Sequence, residues 1–166
     1  MWNMKNKLSW CHLWIEAIFD LWYPHVFRDV EDMVLQEEFL VSLWNRLTEK
    51  PFSKKDWEEV HQSCEEDLSL YPKKKEEVLL TSLGFYATFL YRLSHAFYQQ
   101  GFVDIASILM RIGEEKTGIH LAYSARILGP ICIIDGRGFY LHDQEVVQGK
   151  QCLRRRQKDE FGWIPM

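Results

Sequence analysis

Asp135 and His142 are, by residue type, the side chains of this 166-residue chain best suited to moving a proton. Both fall in the stretch ICIIDGRGFYLHD, residues 131–143, where glycines at 136 and 138 mark a turn between apolar runs. A carboxylate or imidazole in such a turn can act as a general base, worth about 10²–10⁴-fold in rate when its proton affinity suits the working pH. Reference pKa values are about 6.5 for histidine and about 3.9 for aspartate, so an aspartate in a histidine's place is the weaker base by about 3.5 kcal/mol. Burial against Ile133 and Phe139 would offset part of that difference by disfavouring the charged carboxylate. His142 has Asp143 beside it, but neighbours on a strand point to opposite faces, so Asp143 does not orient the ring and His142 reads as a surface residue. Arg92 and His95 lie in the aromatic run LGFYATFLYRLSHAFYQQG. There an arginine packs over aromatic faces and a histidine is a satisfied core or interface residue, so both take structural roles.

Helices must position these groups. Trp10, Leu13, Trp14, Ala17, Ile18 and Leu21 recur at steps of three and four, the spacing of one helix face, and Tyr23-Pro24 ends the run. A second stripe, Val30, Met33, Val34, Leu40, Val41, Trp44 and Leu47, stops before Pro51, with Glu31, Asp32, Glu38 and Arg46 opposite. Ser53 caps a third helix with Asp56 three residues on, and Trp57, Val60, Cys64 and Leu68 form its buried side up to Tyr71-Pro72. The spacing predicts one long helix over 76–100. It carries an apolar stripe (Leu83, Tyr86, Ala87, Leu90, Leu93, Phe97) and a mixed one (Gly84, Thr88, Tyr91, His95, Tyr98), with Gly101 at its end. A further helix runs from Val103 to about 112 and leads to Gly113.

After Gly118 the texture changes to β-branched residues separated by small and polar ones. Ile119, Ala125 and Ile131 are six apart, the beat of a hexapeptide β-helix, in which each short strand forms one side of a triangular coil. Ile119 to Ile127 is eight, which places a corner insertion near Tyr123-Ser124. The beat stops after Val147, leaving fewer than two coils and an edge that needs covering. The expected organisation is a helical domain over 1–116, a partial β-helix over 117–150 and a polar tail over 151–166. Three ways of covering the edge remain open: fold-back of Phe161, Trp163 and Ile164, pairing with another subunit, or partial disorder.

Composition narrows the function. A formal charge of −4 lacks the basic footprint of a nucleic-acid binder, and Arg154-Arg155-Arg156 reads as a solvated terminus. Cys11, Cys64, Cys132 and Cys152 have no metal spacing, so neither a zinc site nor a disulfide framework is expected, and the chain is read as cytoplasmic. The N-terminal apolar run, interrupted by His12, Glu16 and Asp20, is a helix and no targeting segment, and no run is long enough to span a membrane.

Three stretches then carry a resemblance: EEVLLTSLGFYATFLYRLSHAFYQQG (76–101), EEKTGIH (114–120) and IIDGRG (133–138). Over about residues 67–147 the sequence resembles the serine O-acetyltransferase family, hexapeptide-repeat acyltransferases of cysteine biosynthesis. The resemblance implies a mainly α chain with a short β segment, in which an N-terminal helical domain leads into the start of a left-handed parallel β-helix. It also implies trimers or hexamers, L-serine and acetyl-CoA as substrates, no metal, and a His–Asp pair that deprotonates the serine hydroxyl. Against that pattern Ile134-Asp135 is followed at once by Gly136-Arg137-Gly138, so the family's histidine is either deleted or replaced by Asp135. Tyr71-Pro72 stands where the family has Asp-Pro, and His120-Leu121 where it has His-Pro. Later coils with the acetyl-CoA channel are missing, and the chain is read as truncated. Asp135 and His142 remain the catalytic candidates, and Gly84, Arg92, His95 and His120 the structural ones. The function expected is acetyl transfer to serine with weak or no activity; the alternatives are a non-catalytic oligomerisation module or an acyltransferase with another acceptor.

Overall fold

Six helices and seven short strands follow one another in the computed structural model, which describes residues 4–24 and 33–166. The helices are α1 (Met4–Trp22), α2 (Met33–Leu47), α3 (Lys54–Ser69), α4 (Lys75–Thr81), α5 (Leu83–Gln99) and α6 (Val103–Thr117). The strands are β1 (His120–Leu121), β2 (Arg126–Leu128), β3 (Ile131–Ile133), β4 (Tyr140–Leu141), β5 (Val146–Gln148), β6 (Gln151–Gln157) and β7 (Glu160–Pro165). They make two compact units, Met1–Trp57 and Glu58–Met166.

In the first unit the stripe read from sequence is rotated by about one position. Cys11, Trp14, Ile15 and Ile18 are buried while Leu13 is exposed. The core is an indole cluster: Trp57 meets Trp14 at 5.0 Å and Trp44 at 5.3 Å, both edge to face, the arrangement aromatic quadrupoles favour. Trp44 Nε1 donates to the Lys50 carbonyl at 2.8 Å. Val30 of the second stripe and Glu31 and Asp32 of its opposite face lie outside the described residues, as do the side chains of Met33 and Val34. Ser53 caps α3 as its sequence suggests, with Asp56 N–H donating to its Oγ at 3.4 Å.

In the second unit the long helix read from sequence is two. Ser82 is extended (φ −84°, ψ 108°); it closes α4, and its hydroxyl accepts from Phe85 N–H at 3.0 Å to cap α5. A serine flanked by helix formers gave the periodicity no sign of a break, because capping competes with helix continuation only where tertiary contacts favour it. Gly101 has φ +89° just past α5, as expected. The next helix is longer than its stripe suggested: Gly113 sits buried inside α6, which ends at Gly118 with φ +70°.

From there the chain winds so that each strand lies parallel to the one twenty residues later. His120 pairs Tyr140, Ile127 pairs Val147, and Cys132 pairs Cys152. The inward beat is Leu121, Ile127, Ile133, Leu141, Val147 and Leu153, all buried in one core with Ile119, Ala125 and Ile131. Two expectations change here. The steps are six except from Ile133 to Leu141, so the extra two residues lie in the 134–139 corner and not near Tyr123-Ser124. The beat also continues past Val147, because Leu153 takes the next inward position. The 151–166 stretch resolves among its three options as a fold-back: β7 pairs antiparallel with β6, from Gln151–Pro165 to Gln157–Glu160, and covers that strand's outer edge. Phe161 and Trp163 meet Phe139 at 5.4 and 5.8 Å.

Candidate functional site

The mixed stripe of α5 is the face that docks on the coil. At Gly84 a Cβ would stand 2.0 Å from the Ile133 carbonyl oxygen, so only glycine lets the helix approach β3 this closely. Two turns on, Tyr91 donates to the Ala125 carbonyl at 2.6 Å and accepts from Ile127 N–H at 3.3 Å. His95 Nδ1 meets the Tyr123 carbonyl at 2.7 Å and its ring stacks on Tyr91 at 5.5 Å. Burial holds His95 below the usual histidine value, so at neutral pH it is the uncharged tautomer with its proton on Nδ1. Burial also raises the Tyr91 phenol to about 12.

Arg92 is not a cation–π residue over phenylalanine. Its Nε and Nη2 donate to the two carboxylate oxygens of Asp67 at 2.9 and 2.8 Å, and Nη2 also reaches the Gly129 carbonyl at 2.8 Å. Its nearest ring contact is Tyr91, 5.8 Å to the centroid. Asp67, whose side chain is fully buried on α3, accepts from Ile131 N–H at 2.9 Å as well. Burial pushes its carboxyl up, against the pull of Arg92, while the Asp67 partner outweighs desolvation and holds Arg92 charged. A buried charge so arranged tolerates loss of neither partner. Sequence reading missed Asp67, although an acid on the apolar Cys64–Leu68 stripe was the available signal. It noted Tyr71 only as the residue before proline. Tyr71 is buried, and its hydroxyl accepts from Ile133 N–H at 3.1 Å and donates to Ile133 O at 3.3 Å. His120 pairs with Glu114 at 2.8 Å and lies flat on Tyr140 at 3.8 Å.

Between these elements, all in the second unit, opens a pocket of about 310 Å³. Its walls come from the Tyr71-Pro72 turn, the Thr81-Ser82 break, Gly84, Thr117 and the 133–137 corner, including Asp135 and Arg137. The volume is at the small end of small-molecule sites. The structure therefore brings Asp135 to a pocket, but it does not bury it: the side chain is 56% exposed, with Arg155 Nε 3.6 Å from Oδ2. The expected shielding by Ile133 and Phe139 is absent because both side chains turn to the core. His142 does not line the pocket. Its side chain is 70% exposed, near Tyr140 at 4.5 Å and Glu145 at 4.0 Å. Asp143 instead accepts from Ser124 Oγ at 3.1 Å.

Helices that lead into a coil of parallel strands define an architecture shared with acetyltransferases of known structure. No protein-family model and no curated protein matches the sequence. Among solved structures, the chain is similar to Entamoeba histolytica serine acetyltransferase isoform 3 in complex with cysteine: TM-score 0.69, 16% identity, 81% of this chain and 56% of that one. It is similar to the soybean serine acetyltransferase apoenzyme (TM-score 0.55, 18% identity, 80% of this chain and 52% of that one). Neisseria gonorrhoeae serine acetyltransferase gives TM-score 0.55 and 18% identity over 80% of this chain and 49% of that one. The chain has the fold of serine acetyltransferases and spans about half the length of these structures. Among the described residues no helix is long and apolar enough to cross a membrane, and no group of three or more His, Cys, Asp or Glu could hold a metal ion.

Proposed function

We propose that the chain is a member of the serine O-acetyltransferase family, whose coil is a left-handed parallel β-helix and whose copies associate through it as trimers or hexamers in the cytoplasm. The reaction proposed is transfer of an acetyl group from acetyl-CoA to the hydroxyl of L-serine. One observation carries the reading: in a chain with this fold, the pocket lies against the corner where the resemblance puts the family's base. Asp135 takes the hydroxyl proton as the oxygen attacks the thioester carbonyl, and the departing thiolate takes a proton in turn. Gly84, Arg92, His95 and His120 are structural: they set the distance and register between helices and coil. With aspartate standing where the family has histidine as the base, turnover is slow.

A second reading, a non-catalytic assembly module, draws on the pocket's lining, which holds no histidine. Release of free thiol from acetyl-CoA in the presence of L-serine separates the two. The first reading expects release above the uncatalysed rate that Asp135→Asn abolishes; release at the uncatalysed rate, with a trimer or hexamer by light scattering, favours the second. Release with a different hydroxyl or amine in place of serine would reassign the acceptor.

A further inference from the structure

Arg154-Arg155-Arg156 read from sequence as a solvated basic cluster, yet its middle member is engaged on four sides. Arg155 Nη1 donates to the Lys158 carbonyl within its own hairpin, and Nη2 donates across to the Arg137 carbonyl of the pocket corner. Its guanidinium lies 4.6 Å from the centre of the Phe161 ring, and Nε stands 3.6 Å from Asp135 Oδ2. The ends of the corner carry three amide bonds that are joined through its crest: Ile134 N–H donates to Leu153 O at 3.1 Å, Gly138 N–H to Gly118 O at 2.7 Å, and Phe139 N–H to Gly136 O at 2.8 Å. The exposed crest, Asp135 and Arg137, has Arg155 as its bond to the hairpin. Only a planar, multi-donor cation can hold two carbonyls and face a carboxylate together; a lysine in its place satisfies one or two of the three.

We infer that Arg155 is a positioning residue for the site: through it, the β6–β7 hairpin fixes the 135–137 crest and aims the Asp135 carboxylate along the pocket wall. The inference rests on reading Asp135 as the working carboxylate, but the clamp itself is measurable without substrate. Hydrogen exchange at the Ile134, Gly138 and Phe139 amides reports the order of the corner, and exchange along β1 and β2 reports the rest of the coil. Full-length Arg155→Gln speeds exchange at the three corner amides by about tenfold or more and leaves β1 and β2 at wild-type rates. Arg155→Lys restores part of that protection, and Arg154→Gln, an exposed neighbour on the same strand, leaves it unchanged. Where acetyl transfer is detected, Arg155→Gln lowers kcat per folded chain, with the folded fraction taken from circular dichroism, and changes KM for serine little; a loss of folded protein alone would leave kcat per folded chain at the wild-type value. Wild-type exchange in Arg155→Gln, an equal rise in Arg154→Gln, absence of corner protection in the wild type, or no rescue by Arg155→Lys would each overturn the inference. A wild-type chain that shows corner protection but no acetyl transfer would remove the acetyl-transfer reading and leave the clamp standing.

Discussion

The coil's two edges are finished by different physics. On the helix side, the backbone groups of Ala125, Ile127, Ile131 and Ile133 that turn away from the second coil are met by Tyr91, Asp67 and Tyr71. On the far side, β7 covers β6 by a backbone ladder, whereas β4 and β5 sit in sheets of two strands, paired with β1 and β2. A short coil is thus anchored where buried side chains replace the strand that a longer repeat would supply, since unpaired buried amides and carbonyls cost about 1–3 kcal/mol each. The helix-side edge should be the rigid reference against which the pocket corner is held, and the far edge the tolerant one.

Substitutions can break or sharpen that contrast. Asp67→Ala leaves Arg92 charged and buried and Ile131 N–H unmet; urea denaturation should show a loss of about 3–5 kcal/mol. Gly84→Ala forces α5 away from the Ile133 carbonyl, and a loss of about 3 kcal/mol with a disturbed pocket is expected by the same measurement. Tyr91→Phe keeps the ring but strands Ala125 O and Ile127 N–H, for about 1–3 kcal/mol. His95 sets a pH signature. Its folded pKa is depressed by burial, so its contribution is fully present above about 6.5, the unfolded value, and is lost as pH falls through the lower folded one. Stability should therefore drop as pH falls below about 6.5, and less steeply in His95→Gln; His61, also lowered by burial, adds to the same slope. At the far edge Arg154→Gln should change stability by no more than about 0.5 kcal/mol. Equal sensitivity of the two edges would end the comparison.

Much of this was legible in the chain. The apolar beat announced a coil because inward positions must be apolar wherever a strand faces a closed core, and a second, mixed stripe on α5 stood apart from its apolar one, though nothing in the chain said what it meets. The polar anchors were not legible, for a reason of range. Asp67 finds Arg92 across 25 residues and Ile131 across 64, and Tyr71 finds Ile133 across 62. Periodicity reports which face is buried and is silent on which buried hydroxyl meets which amide. The same holds at Ser82, where the helix breaks and is capped two residues before Gly84 docks on Ile133, a contact across 49 residues. At the site, sequence placed Asp135 at a glycine-bounded corner, and the structure adds a pocket beside it. It could not tell that the carboxylate stays exposed, nor that Arg155 of the arginine triplet folds back onto that corner through the β6–β7 hairpin.

The most direct test of the seam pocket as the ligand site uses protein labelled with ¹⁵N-glycine and titrated with L-serine. Gly84 and Gly136 line the pocket, whereas Gly101 and Gly162 do not. Saturable shifts at the Gly84 and Gly136 amides, with Gly101 and Gly162 unmoved, are the predicted result. Shifts confined to Gly101 or Gly162, or none at any glycine at saturating serine, would contradict it.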